Sequence, residues 1–251
     1  MVFYAYAIND TNEENRLLIT ASSVEVMDAW YRYSRQDGLS TLKRKSPELY
    51  TYNYASHHVW HFVYHGVETP KVKGSIFFET MGPWNHNNQM NFLNQHAPDH
   101  LSGNAFYIRS KSNPRVFWNV AGGQVFASKV ARTKFRINGL GLSKGDVILP
   151  EDKITIAAIA GDPLKETTVQ WKGDNTFVAD APEVGNGAIV PGGPPNQGPG
   201  GYGYGFMPRG VTEFTFSDLK KNFLAVGKHV EEADAKLAWF QDAGEEWELC
   251  S

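Results

Sequence analysis

Four histidines within nine residues, His57, His58, His61 and His65, are the first group in this chain whose type and spacing could do chemistry. On a helix, His57, His61 and His65 would line one face at four-residue intervals, and neighbouring pairs could chelate a divalent metal. The intervening Val59, Trp60, Phe62, Val63 and Tyr64 predict a strand instead, where residues four apart stand about 13 Å from each other along one face. No ion can be shared at that distance. The histidines are therefore read as the wetter face of a strand, and neither metal nor cofactor is expected. A second polar group runs through Trp84-Asn-His-Asn-Asn-Gln89 and Asn94-Gln-His-Ala-Pro-Asp-His100. His86, His96, Asp99 and His100 could serve as an acid–base pair or a partial metal site, although Pro98 interrupts any helix that would present them together. The competing reading is a long polar loop whose amides satisfy their own backbone. A third group is Trp118 with Asn119, and Trp171 with Asp174 and Asn175. Flat indole faces suit the C–H groups of a sugar, and the amides and carboxylate suit its hydroxyls. Trp84 and His86 join these as candidate ligand contacts.

The elements that must position these residues are mostly strands. Between Ala105 and Ile137 a strand (105–110) runs into the turn Lys111-Ser-Asn-Pro114, then a second strand (115–120), Gly122-Gly123, a third strand (124–127) and a closing Lys134-Phe-Arg-Ile137. Phe106 and Ile108, then Val116, Trp118 and Val120, fall two apart, and they are β-branched or aromatic. This order resembles one lobe of a ricin-B-type β-trefoil lectin, with Lys134-Phe-Arg standing where the family's Gln-x-Trp closes a lobe. The resemblance implies a three-lobed barrel and sugar binding. Similar strand pairs begin at Trp60 and Ile154, 46 residues before and 48 after Phe106, as stacked lobes would require.

At 251 residues, 41% of them hydrophobic, the chain can bury a substantial core. Its net charge of −3 gives no general attraction to nucleic acid or anionic membrane. Lys43-Arg-Lys45 is read as a solvated loop. One cysteine, Cys250, excludes an internal disulfide and points to a reducing, cytoplasmic setting. The segment Met1–Asp10 lacks a basic n-region and a long apolar core, so a first strand is expected there rather than a signal peptide. Gly-x-Ser-x-Gly, P-loop, His-Glu-x-x-His and Cys-x-x-Cys motifs do not occur, and the glycine-rich Gly139–Gly145 follows no βαβ pattern.

Phe3–Ile8 and Arg16–Thr20 predict a strand pair. Ser22-Ser-Val-Glu25 has the order of a helix N-terminus, and the spacing of Val26, Met27, Trp30 and Tyr33 predicts a helix over 23–35 that ends at Asp37-Gly38. Glycine and proline make 185–210 a linker or loop. Apolar residues three and four apart predict C-terminal helices over 217–226 and 230–242. The expected architecture is mainly β (α+β), antiparallel, with a trefoil-like barrel, a short N-terminal helix and C-terminal helices. Its divisions are a segment 1–54 packed on the core, a β region 55–184, the linker 185–210 and a helical 211–251. Three functions fit. The first is a soluble, non-catalytic, lectin-like protein whose partner is a glycan or other polar small molecule, with neither nucleic acid nor membrane involved. The second is an enzyme built on His86, His96, Asp99 or His100, and the third is an assembly protein recruiting partners through its glycine-rich stretch and C-terminal helices. Homo-oligomerisation is left open.

Overall fold

A computed structural model describes residues 2–11, 16–56, 61, 72–81, 97–160, 165–172, 176–180, 211–226 and 234–251. These fall into two units, Met1–Leu101 with Asp146–Pro150, and Ser102–Gly145 with Glu151–Ser251.

In the first unit, alternation of apolar residues does what it should. Phe3, Ala5 and Ala7 of β1 (Phe3–Asn9) and Leu17, Ile19 and Ala21 of β2 (Arg16–Ala21) turn to one face and are buried. The two strands pair antiparallel, as expected. Helix α1 (Val24–Gln36) follows, its N-terminus capped by the Ser23 hydroxyl, which accepts from the Val26 N–H at 3.4 Å. Gly38, with φ of 101°, takes the left-handed conformation just past the helix end. β3 (Lys43–Ser46), β4 (Leu49–Tyr52) and β5 (Ile76–Met81) complete a sheet of order β3-β4-β1-β2-β5. β4 runs parallel to β1, and the other pairings are antiparallel. The helix buries Met27 and Trp30 against this sheet, with the Trp30 ring 5.8 Å from Tyr50 and 5.4 Å from Phe78.

The second unit contains a seven-stranded antiparallel barrel. Its strands are β6 (Ala105–Ser110), β7 (Phe117–Ala121), β8 (Gln124–Ser128), β9 (Lys134–Gly139), β10 (Lys153–Ala160), β11 (Lys165–Lys172) and β12 (Thr176–Asp180). Pairing runs β6-β7-β8-β12-β11-β10-β9 and returns to β6. Closure leaves no free edge on these strands. β13 (Glu213–Thr215) adds to β10, and β14 (Phe223–Val226) pairs with β15 (Ala235–Trp239), which joins β8. β16 (Trp247–Cys250) joins β6. Inward residues such as Phe106, Ile108, Phe135, Ile137, Ile156 and Val169 are buried, so side chains fill the barrel.

Two expectations are corrected. The C-terminal helices are absent: Phe216–Lys220 is a short 3-10 turn, Phe223–Val226 and Ala235–Trp239 are strands, and 230–233 lie outside the described residues. Ladder pairing of Phe223 with Trp239 and of Leu224 with Ala238 overrides the local three-and-four spacing. The division of the chain also differs. Ile76–Met81 pairs with β2 in the first unit, so the boundary falls after Leu101 rather than near residue 54. The 185–210 stretch lies outside the described residues.

Candidate functional site

Trp118 is 0% exposed, its ring 5.0 Å from Phe223 and 5.8 Å from both Phe135 and Trp247. Trp171 is 4% exposed. Both indoles therefore belong to the barrel core and present no face to a sugar, which corrects the stacking role expected for them. Strand parity fixes which residues share a side, and the closure of the barrel turned the Trp118 side inward. Asn119 lies on the outward side of β7 yet is only 8% exposed, and its Oδ1 accepts from the Thr133 hydroxyl at 3.1 Å. Asp174, Asn175, Trp84, His86 and His96 lie outside the described residues, as do His57, His58 and His65. His61 is exposed and helical rather than part of a strand. Among the described residues no group of three His, Cys, Asp or Glu side chains could hold a metal.

Asp99 and the supposedly solvated Lys43-Arg-Lys45 meet in a cluster the sequence did not reveal. Lys43 and Lys45 point outward from β3, while the alternation sends Arg44 inward. Its Nη1 contacts the Asp28 carboxylate on α1 and donates to the Tyr50 hydroxyl at 3.0 Å; its Nε donates to Asp99 Oδ1 at 2.8 Å. Burial pushes the Asp28 carboxyl up to about 6, outweighing the attraction of Arg44, and the Asp99 and Glu25 charges add to the rise. Burial likewise drives the Tyr50 hydroxyl well above its ordinary range. Loss of solvent acts against the Arg44 charge, but Tyr50, Asp28 and Asp99 outweigh it and hold the guanidinium more firmly protonated than usual. Asp28 is 3% exposed. A carboxyl raised to about 6 could exchange protons with a substrate only if one could reach it, so this cluster ties α1, β3, β4 and the 97–100 segment together rather than forming an open site.

The outside of the barrel offers a reachable arrangement. On β6, Phe106, Ile108 and Ser110 face inward, which places Tyr107 and Arg109 outward. Tyr107 stands opposite Lys134 of β9 and Cys250 of β16, and Arg109 opposite Phe117 of β7. The Tyr107 and Phe117 rings meet edge to face at 6.3 Å. The Arg132 guanidinium lies 4.4 Å from the Tyr107 centroid and 5.5 Å from that of Phe117, and the Lys134 ammonium lies 5.2 Å from Tyr107. Arg109 is neutralised by Glu248 at 2.6 Å. Burial raises the Cys250 thiol, which disfavours the reactive thiolate at this edge. None of Tyr107, Phe117, Arg132 or Lys134 had been singled out as a binding residue. The available signal was the two-residue alternation of Tyr107 with Arg109 and of Lys134 with Arg136, which places polar and aromatic groups on one outer face.

No protein-family model, curated protein or solved structure matches the chain.

Proposed function

We propose that the protein is a non-catalytic carbohydrate-binding module that takes its ligand on the outer barrel face of Tyr107, Phe117, Arg132 and Lys134. The observation that carries this reading is the ring pair at 6.3 Å with the Arg132 guanidinium 4.4 Å from Tyr107. Aromatic edges beside exposed cationic hydrogen-bond donors suit the C–H groups and hydroxyls of a polyhydroxylated ligand. A packed interior supports the outer location, since side chains occupy the space where an open barrel would hold a ligand. The trefoil-like form belongs to the same proposal, with support from the order β6, β7, Gly122-Gly123, β8, β9. So does a cytoplasmic setting, for which the single Cys250 is the support. Among the described residues no helix is long and apolar enough to cross a membrane.

A glycan array on the pure protein, followed by calorimetry on the best binder, tests the proposal. Tyr107→Ala and Phe117→Ala should each weaken binding about tenfold, roughly 1.4 kcal/mol, with the fold retained. An array without a single bound saccharide, or affinity indifferent to both substitutions, overturns it.

A further inference from the structure

We infer that the saccharide held on this face is anionic, carrying sulfate or uronate groups that settle on Arg132 and Lys134; the inference rests on the glycan reading above. The argument begins with how the neighbouring cations are treated. Arg109 is paired with Glu248 at 2.6 Å, Lys111 with Glu246 at 2.9 Å and Arg136 with Glu166 at 2.8 Å. Arg132 and Lys134 lie among these residues, both exposed, yet among the described residues neither has a carboxylate partner. Both converge instead on one ring, at 4.4 and 5.2 Å from the Tyr107 centroid. A ring's quadrupole attracts a cation without cancelling its charge, so both residues remain without a counter-ion among the described residues. An anionic ligand on this face would supply one.

The segment that carries Arg132 is also fixed in advance. At its start the Ser128 hydroxyl accepts from the N–H groups of Val130 and Ala131, both at 3.2 Å. At its end the Thr133 hydroxyl accepts from the Val120 N–H at 3.0 Å and donates to Asn119 Oδ1 at 3.1 Å. The Thr133 N–H donates to the Trp118 carbonyl at 3.0 Å. Asn119 therefore acts as a positioning residue. A loop pinned at both ends loses little further freedom when a ligand docks. The apolar edges of Tyr107 and Phe117 beside the two cations favour a sugar ring bearing an acid group over a bare anion.

The test is calorimetry of the intact protein with dextran sulfate, polygalacturonate, neutral dextran and a DNA duplex. Binding to dextran sulfate or polygalacturonate is expected, and which of the two binds identifies the acid group. Affinity should fall roughly tenfold as NaCl rises from about 50 to 200 mM, as release of ions from about two contacts would give. Arg132→Gln/Lys134→Gln should lose at least tenfold with an unchanged circular dichroism spectrum, while Lys153→Gln, which removes a charge at the far end of β10, should bind as the parent does. If neutral dextran binds and the double variant binds it equally well, the anionic class is overturned and the glycan reading stands. If neither dextran nor the two acidic polymers nor an arrayed saccharide binds, both fall. Equal affinity for DNA and the acidic saccharides overturns the inference in favour of a general polyanion surface.

Discussion

Replacing Trp118 by alanine would leave a void bounded by Phe135, Phe223 and Trp247, and core truncations of this size cost about 3–5 kcal/mol. Urea unfolding should register that loss for Trp118→Ala, whereas Tyr107→Ala on the outer face should stay within about 1 kcal/mol of the parent. Equal effects of the two substitutions would contradict the inside–outside assignment of β6 and β7. The pH dependence of stability belongs to Asp28. Its pKa is raised in the folded protein from 3.8 to about 6, so between those values the folded chain keeps a proton that the unfolded chain has released. Stability contributed by this group is thus present below pH 4 and is lost as the pH climbs through 6. Asp28→Asn should flatten the midpoint of urea unfolding across that window, and an unaltered slope would assign the effect elsewhere. Arg44 shows why residue-scale legibility was uneven. In Lys43-Arg-Lys45 the charge run suggested water on all sides, but β3 alternates, and the partners that accept the middle residue come from α1, β4 and residue 99.

At the scale of elements, the segment between β8 and β9 is the most instructive. Thr133→Val keeps the shape and removes the hydroxyl that joins the Val120 N–H to Asn119. Loss of such buried hydrogen bonds costs about 1–3 kcal/mol, and the loosened Arg132 should bind dextran sulfate several-fold more weakly although no charge has changed. Thr133→Ser should restore both properties; a Val variant with parental affinity would mean that the pinning has no bearing on the ligand. Where caps and long periodic stretches were available, elements were legible. Helix α1 is bounded by Ser23 and Gly38, and the stripe of Met27 and Trp30 is buried. The C-terminal segments were illegible because each is only four or five residues of strand, too short for a period of two to be told from one of 3.6. What decides them is the β14–β15 ladder and the Asp218 carboxylate, which accepts from the Thr215 N–H at 2.7 Å and the Asn222 amide at 2.6 Å.

For the whole molecule, the sequence announced a β-rich, mainly antiparallel protein with an N-terminal helix, but it added C-terminal helices that are strands and did not reveal the path by which the units are assembled. Leu101 pairs with Val147, and the Ile148 N–H donates to the His100 carbonyl at 2.9 Å, so a strip of chain from beyond four barrel strands completes the first unit. Val147, Ile148 and Leu149 are buried. A fragment ending at Leu101 should accordingly melt at a lower temperature and less cooperatively than one in which a short glycine linker joins Leu101 directly to Asp146–Pro150. Identical melting curves for the two fragments would show the strip to be dispensable. Such an interlaced path also bears on heredity. The boundaries between units fall at three places along the sequence, after Leu101, Gly145 and Pro150, so no single recombination breakpoint in the gene can exchange either unit whole. An exchange after residue 101 separates the first unit from its own returning strip, and one after residue 150 carries β6 to β9 away from β10 to β12. Lineages should therefore inherit the two units as one indivisible block, and shuffled descendants carrying only one of them should be rare.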